Sequence, residues 1–185
     1  MTRVLLDEKI VELGRALDAA RIPHAFGGAL ALAYYGTPRG TVDIDLNVFL
    51  PAERGAPVLE LLTTLGVAPP GEAQLREIAE RGQTRLRWDG TPLDLFFSYD
   101  ALHESATKRR RTVPFGDDAE IPILSAEDLA VFKALFDRAK DWTDLGEMLF
   151  AQGSRFDADY ALRWLRRILA PDDARLQRFA DLVSG

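Results

Sequence analysis

Two carboxylates one residue apart inside an apolar run, Asp43 and Asp45 in Val-Asp-Ile-Asp-Leu-Asn-Val, are the most chemically suggestive residues of this 185-residue chain. In an extended strand alternate side chains point the same way, so the two acids share a face. Like charges that close repel and resist burial unless a divalent cation lies between them. A third acid, Asp94, is planted in a similar run, Leu-Asp-Leu-Phe-Phe. Oxygen-only ligands in a chain without cysteine favour Mg2+ or Mn2+ over zinc. Upstream, Gly27 and Gly28 stand between a short apolar segment and an Ala/Leu-rich one. Glycine there removes Cβ and lets phosphate oxygens reach backbone N–H groups at a helix start. An anion cradle beside metal-binding carboxylates is what phosphoryl or nucleotidyl transfer requires, with Asp94 meeting the attacking group's metal or serving as its base.

Further candidates surround this set. Arg39 and Thr41 lie in the segment leading to the acids, where an arginine could clamp a triphosphate and a threonine could bond a phosphate or a metal-bound water. Lys133 interrupts the apolar run Leu-Ala-Val-Phe-Lys-Ala-Leu-Phe. It either snorkels outward or turns toward the site as a counter-charge to the β- or γ-phosphate. Asp137 and Asp141, like Lys140 and Asp144, are four residues apart and read as a helix-surface network. Lys108 to Arg111 is the sole basic run, a solvated face or a local patch for RNA. His24 and His103 stand alone and receive no catalytic role, and Trp88, Trp142 and Trp164 read as core or partner surface.

Apolar periodicity supplies the elements that must position these groups. Helical spacing covers 7–20, a short strand covers 22–26, and a helix over 28–35 ends at Gly36 and Pro38. A buried strand follows at 42–50, then a helix at 53–66, a Pro-Pro-Gly loop at 69–71 and a shorter helix at about 72–81. Residues 84–88 and 92–97 flank Asp89-Gly90, a tight-turn signal for a β-hairpin. A helix at about 100–110 leads to an antiparallel pair at 111–115 and 120–124. Ser125-Ala-Glu-Asp128 resembles a helix-start box and opens helices at roughly 126–138, 141–151, 157–169 and 171–183. The fold class is therefore α+β: a small mixed sheet flanked by helices over 1–124, with a helical C-terminal region over 125–185 packed on that core.

Composition excludes several classes. Hydrophobic residues form 47% of the chain and charged residues 28%, so it is neither disordered nor membranous. No apolar run approaches the ~20 residues of a spanning helix. The N-terminal residues lack a signal-peptide core, and the missing cysteines suit a cytoplasmic location. A net charge of −6 argues against a broad nucleic-acid surface.

The glycine pair, the helix, the Asp-x-Asp strand and the later strand aspartate together resemble the DNA-polymerase-β-like nucleotidyltransferase superfamily over about residues 27–97. That resemblance implies transfer of a nucleoside monophosphate from NTP to an acceptor hydroxyl. Gly27 and Gly28 would hold the triphosphate, and Asp43, Asp45 and Asp94 would hold Mg2+ or Mn2+. Arg39-Gly-Thr41-Val-Asp43-Ile-Asp45, with Lys133 and the 138–144 segment, looks like the toxin-type branch of abortive-infection and mycobacterial tRNA-modifying toxins. Members carry Thr or Ser two residues before the first aspartate, a helical lysine and a further aspartate; Lys133 matches the lysine, and Asp141 or Asp144 the last acid. The chain departs from the pattern where Ala29, rather than a hydroxyl residue, follows the glycines. By this resemblance the acceptor is an RNA 3′ end such as tRNA, held near Lys108–Arg111, with an antitoxin protein as partner. An antibiotic nucleotidyltransferase acting on an aminoglycoside-like hydroxyl, and a non-catalytic nucleotide-binding module, are the rival readings.

Overall fold

The computed structural model describes residues 5–184. The expectation that the N-terminus has no signal-peptide core falls partly on residues 1–4, outside the described residues. Two compact units divide the chain: residues up to Leu30 with Gly40–Leu124, and Ala31–Arg39 with Ser125 onward.

The first unit is built on a six-stranded mixed sheet. Its strands are β1 (His24–Phe26), β2 (Ile44–Pro51), β3 (Gln83–Trp88), β4 (Thr91–Ser98), β5 (Arg111–Phe115) and β6 (Ala119–Ile123). They lie in the order β3-β4-β2-β1-β6-β5. β2 runs parallel to β4 and antiparallel to β1, and the outer pairs β3–β4 and β5–β6 are antiparallel hairpins. Strict alternation explains the layering. Leu86, Leu93, Leu95, Phe97, Ile44, Leu46 and Val48 are buried on one face, while Arg85, Asp94 and Asp45 fall on the other.

The β3–β4 hairpin closes through Asp89 and Gly90, both at positive φ (46° and 81°). That is the primed turn expected of Asp-Gly. α1 (Leu6–Ala19) buries Ile10, Leu13 and Leu17, three of the positions expected from its helical spacing. It also buries Lys9, whose Nζ donates to the carbonyl of Trp88 (2.6 Å) and to Thr91 Oγ1 (3.1 Å). The ammonium lies 5.4 Å from the Trp88 ring centroid. A fully buried charge needs such partners, and they pin the end of the hairpin that carries Arg85 and Asp94. α3 (Ala56–Thr64), α4 (Glu72–Arg81) and α5 (Ala101–Arg109) complete this unit.

Between β1 and β2 lies α2 (Gly28–Leu32), shorter than the sequence reading of 28–35. The chain tightens there into i→i+3 bonds, Ala31 to Tyr34 and Leu32 to Tyr35, that end the helix.

The second unit contains α6 (Ala126–Phe136), α7 (Ala139–Gln152), α8 (Ala158–Ile168) and α9 (Ala174–Ser184). Every residue from Ala126 to Ala134 is buried, so α6 is its central helix. Ser125 caps it: its Oγ accepts from the Asp128 N–H (3.2 Å) and donates to Asp128 Oδ2 (2.6 Å). Tyr160 on α8 donates to the other Asp128 oxygen (2.6 Å). Residues 31–39 belong here: Gln152 Nε2 donates to the Tyr35 carbonyl (2.8 Å), and a Cβ on Gly36 would lie 3.3 Å from Met148 Cα. Asp137 takes a left-handed conformation (φ 55°) and separates α6 from α7, ending α6 before the expected residue 138. Among the described residues no helix is long and apolar enough to cross a membrane.

Candidate active site

Register brings the acids together. Asp45 on β2 pairs with Asp94 on β4, and Asp94 pairs with Arg85 on β3, so Arg85, Asp94 and Asp45 form one row across three strands. Two carboxylates side by side on parallel neighbours repel, and Arg85 answers that repulsion. Its Nε and Nη2 donate to the two oxygens of Asp94, each at 2.6 Å. The same Nη2 lies 3.6 Å from Asp43 Oδ2. The two-pronged bond to Asp94 holds the guanidinium well above its ordinary pKa against the cost of burial, with further support from the charges of Asp94, Asp43 and Asp45.

Asp43 itself lies just before β2 rather than within it, because the strand begins at Ile44 and not at Val42. The side chain of Thr41 explains the late start. Its Oγ1 accepts from the Asp43 N–H and donates to the Asp43 carbonyl, both at 3.2 Å, and this local pairing competes with a sheet ladder. In this structure Thr41 thus orients the backbone that presents Asp43.

The glycine pair abuts Asp45. The Gly27 N–H donates to the Asp45 carbonyl (2.9 Å), and Gly28 has φ +53°. A Cβ on Gly28 would fall 1.8 Å from Asp45 Oδ2 and 2.3 Å from its Cγ. Glycine at 28 is therefore what allows the carboxylate of Asp45 to lie against the turn.

In the second unit Lys133 is buried between two aspartates of α7. Its Nζ donates to Asp144 Oδ2 at 2.6 Å and to Asp141 Oδ1 at 3.5 Å. Arg39 forks onto Asp144 (3.1 and 3.0 Å), and Arg138 forks onto Asp141 (2.6 and 3.2 Å). Burial pushes the Asp144 carboxyl upward, but the bonds and charges of Arg39 and Lys133 outweigh it and hold the group below its usual range. Both Asp141 and Asp144 thus touch Lys133. Each of Lys133, Arg39, Asp141 and Asp144 belongs to one ion network.

The remaining candidates are structural in their local setting. His24 is buried against Phe26, its Nδ1 3.0 Å from the Ile22 carbonyl, and burial lowers its pKa despite that bond. His103 lies 2.7 Å from the Asp100 carboxylate that caps α5. In the basic run, Arg110 closes the end of α5 by donating to the Thr107 carbonyl. A cavity of about 790 Å³ opens at the other end of β2 and β4, lined by Phe49, Ile78, Glu80, Tyr99, Asp100 and Glu104 among others; none of Asp43, Asp45 and Asp94 borders it.

Among the described residues no group of three or more His, Cys, Asp or Glu side chains is arranged as a ready cage for a metal ion. The donor type suits a hard divalent cation, since all three groups are carboxylates. Their present arrangement suits a guanidinium, because both Asp94 oxygens are engaged by Arg85. By donor chemistry the carboxylates would suit such a cation, and the fork on Asp94 would have to open for that residue to take part. Arg85 did not stand out in the sequence, yet it was within reach: counting back from the two-residue turn at Asp89-Gly90 puts it opposite Asp94.

Comparison with solved structures agrees with the fold. The solution structure of the antibiotic-resistance factor ANT(2'')-Ia superposes with a TM-score of 0.60 at 18% identity, covering 88% of this chain and 95% of that one. The crystal structure of ANT(2'')-Ia in complex with adenylyl-2''-tobramycin gives a TM-score of 0.63 at 17% identity, with 88% and 98% covered. The chain has a nucleotidyltransferase fold. At these identities the likeness concerns the fold. No protein-family model matches the sequence, and no curated protein sequence matches it significantly.

Proposed function

We propose that this chain is a metal-dependent nucleotidyltransferase that moves a nucleoside monophosphate from an NTP to a hydroxyl of a small, aminoglycoside-like acceptor. The row of Arg85, Asp94 and Asp45, with Asp43 beside it and Gly28 closed against Asp45, carries the reading. The likeness to ANT(2'')-Ia, solved with an adenylylated tobramycin, favours a small acceptor over RNA.

Asp43 and Asp45 would hold Mg2+ or Mn2+ with the nucleotide, and Asp94 would join them. A divalent cation at such a site supplies charge neutralisation of the phosphates and lowers the cost of forming the attacking alkoxide. The acceptor oxygen attacks the α-phosphorus, the bond to the β-phosphate oxygen breaks, and pyrophosphate leaves. Asp94 takes the hydroxyl proton on a carboxylate oxygen, which first requires release from the Arg85 fork. Gly27 and Gly28 give the phosphates close access to backbone, and Thr41 holds Asp43 in place.

A second reading keeps an RNA 3′ end such as tRNA as acceptor, with an antitoxin partner, on the strength of the basic run Lys108–Arg111. The two part in one assay. Wild-type protein is incubated with each α-labelled NTP, Mg2+, an aminoglycoside panel and total tRNA. Label on an aminoglycoside supports the small acceptor, label on tRNA supports the second reading, and no transfer to either opposes both.

A further inference from the structure

The acid row holds one feature that nucleotidyl transfer by itself does not demand. A guanidinium already occupies the position of a cation among the three carboxylates. Arg85 takes both oxygens of Asp94 and reaches toward Asp43, so it contacts the groups that would bind metal. It does so from β3, which ends the sheet order among the described residues. Its side chain is 54% exposed, whereas that of Asp94 is 18% exposed. The acid is the more buried partner, and the arginine is half exposed to solvent.

We infer that Arg85 is a built-in counter-cation: its fork quiets the carboxylate row in the metal-free chain, and a divalent cation must displace it to bind. The inference rests on the metal-dependent reading above and deepens it by naming the residue that sets the metal affinity of the site. The fork takes an in-plane lone pair of each Asp94 oxygen and sets a positive charge beside any metal there, so the two cations compete. The apparent affinity for metal is thus the intrinsic affinity reduced by the fraction of time Arg85 spends away. An exposed but bidentate ion pair is worth enough to weaken metal binding about fivefold. Removing the fork should return that factor. A purely orienting arginine would act in the opposite sense, since its loss would let Asp94 swing and weaken the site.

The test is a Mn2+ titration without nucleotide, read by the electron paramagnetic resonance signal of free ion, on wild type, Arg85→Gln, Arg85→Lys and Asp94→Asn. Thermal melts of each variant, with and without Mn2+, accompany it. Arg85→Gln is expected to bind Mn2+ about fivefold more tightly than wild type and to gain more in melting temperature from the ion. Arg85→Lys keeps the charge but loses the fork, and should also bind more tightly, by a smaller factor; it carries the test if the Gln variant does not fold. Equal or weaker Mn2+ binding by the folded Arg85 variants, with wild type binding and Asp94→Asn not, overturns the inference and leaves the metal reading standing. No Mn2+ binding by wild type or any variant overturns both.

Discussion

Both units of this protein hold aspartates in arginine forks, and they use them differently. In the first, Asp94 is forked by Arg85 on a sheet face where Asp43 and Arg85 are 31% and 54% exposed. Arg85 bonds Asp94 and lies 3.6 Å from Asp43, and the charges of Asp94, Asp43 and Asp45 all act on it. In the second, Asp141 and Asp144 are forked by Arg138 and Arg39 and share Lys133, whose side chain is 5% exposed. There three cations answer two acids. Buried charges persist only when compensated and hydrogen-bonded, so the second network holds its helices in place. The first lies on a more exposed sheet face. The same residue type thus sits in a buried, compensated network in one unit and in a more exposed fork in the other.

Substitutions should separate the two roles. The largest effect on stability is expected from Asp144→Ala. It removes the closest acceptor of buried Lys133 and should cost about 3 kcal/mol or more in denaturant unfolding; a loss under about 1 kcal/mol would mean that the network does not hold the unit. Gly28→Ala is next. Its Cβ would collide with the Asp45 carboxylate and take a backbone conformation strained for alanine. Displacing Asp45 by about 1 Å should lower transfer about a hundredfold, with a stability cost of roughly 1–2 kcal/mol. Asp45→Asn should abolish transfer while shifting stability by no more than about 0.5 kcal/mol, because it relieves repulsion within the row. Comparable losses of stability in Asp45→Asn and Asp144→Ala would erase the contrast.

The smallest effect is in the acid range. Asp144 has its native pKa below the ordinary 3.8, so the stability it contributes is fully present above that value. It is lost as pH falls below 3.8 through the lowered native value, since the unfolded chain then binds the proton more readily. Unfolding free energies measured from pH 6 to pH 3 should fall more for wild type than for Asp144→Asn, from which this contribution is missing. Parallel curves would show that the pairing with Arg39 and Lys133 does not survive in solution.

Much of the acid face was legible in the sequence because local signals fix it. Alternating burial placed Asp45 and Asp94, and the Asp89-Gly90 turn fixed the hairpin register. The α+β architecture followed from the same periodicities. What escaped depended on side chains meeting across elements. Arg85 reads as an ordinary exposed strand residue until its register is counted against Asp94. Lys9 sits on a helix face, and its fully buried ammonium depends on a carbonyl 79 residues away. Lys133 reads in the sequence as snorkelling outward or turning toward the site; its partners Asp141 and Asp144 lie on α7, beyond the left-handed turn at Asp137. Thr41 delays β2 by bonding to the backbone of Asp43, a competition that propensity does not record. The glycine pair was read for access to phosphate; contact with Asp45 imposes its own demand for glycine at 28.

The central claim is that the acid row transfers nucleotide. Its most direct measurement is the incorporation of label from an α-labelled NTP, in the presence of Mg2+, into an acceptor by wild type and by Asp45→Asn at matched folding. The account expects labelled acceptor and released pyrophosphate with wild type and neither with the variant. Equal labelling by both proteins, or none by wild type with any NTP and either acceptor class, would contradict it.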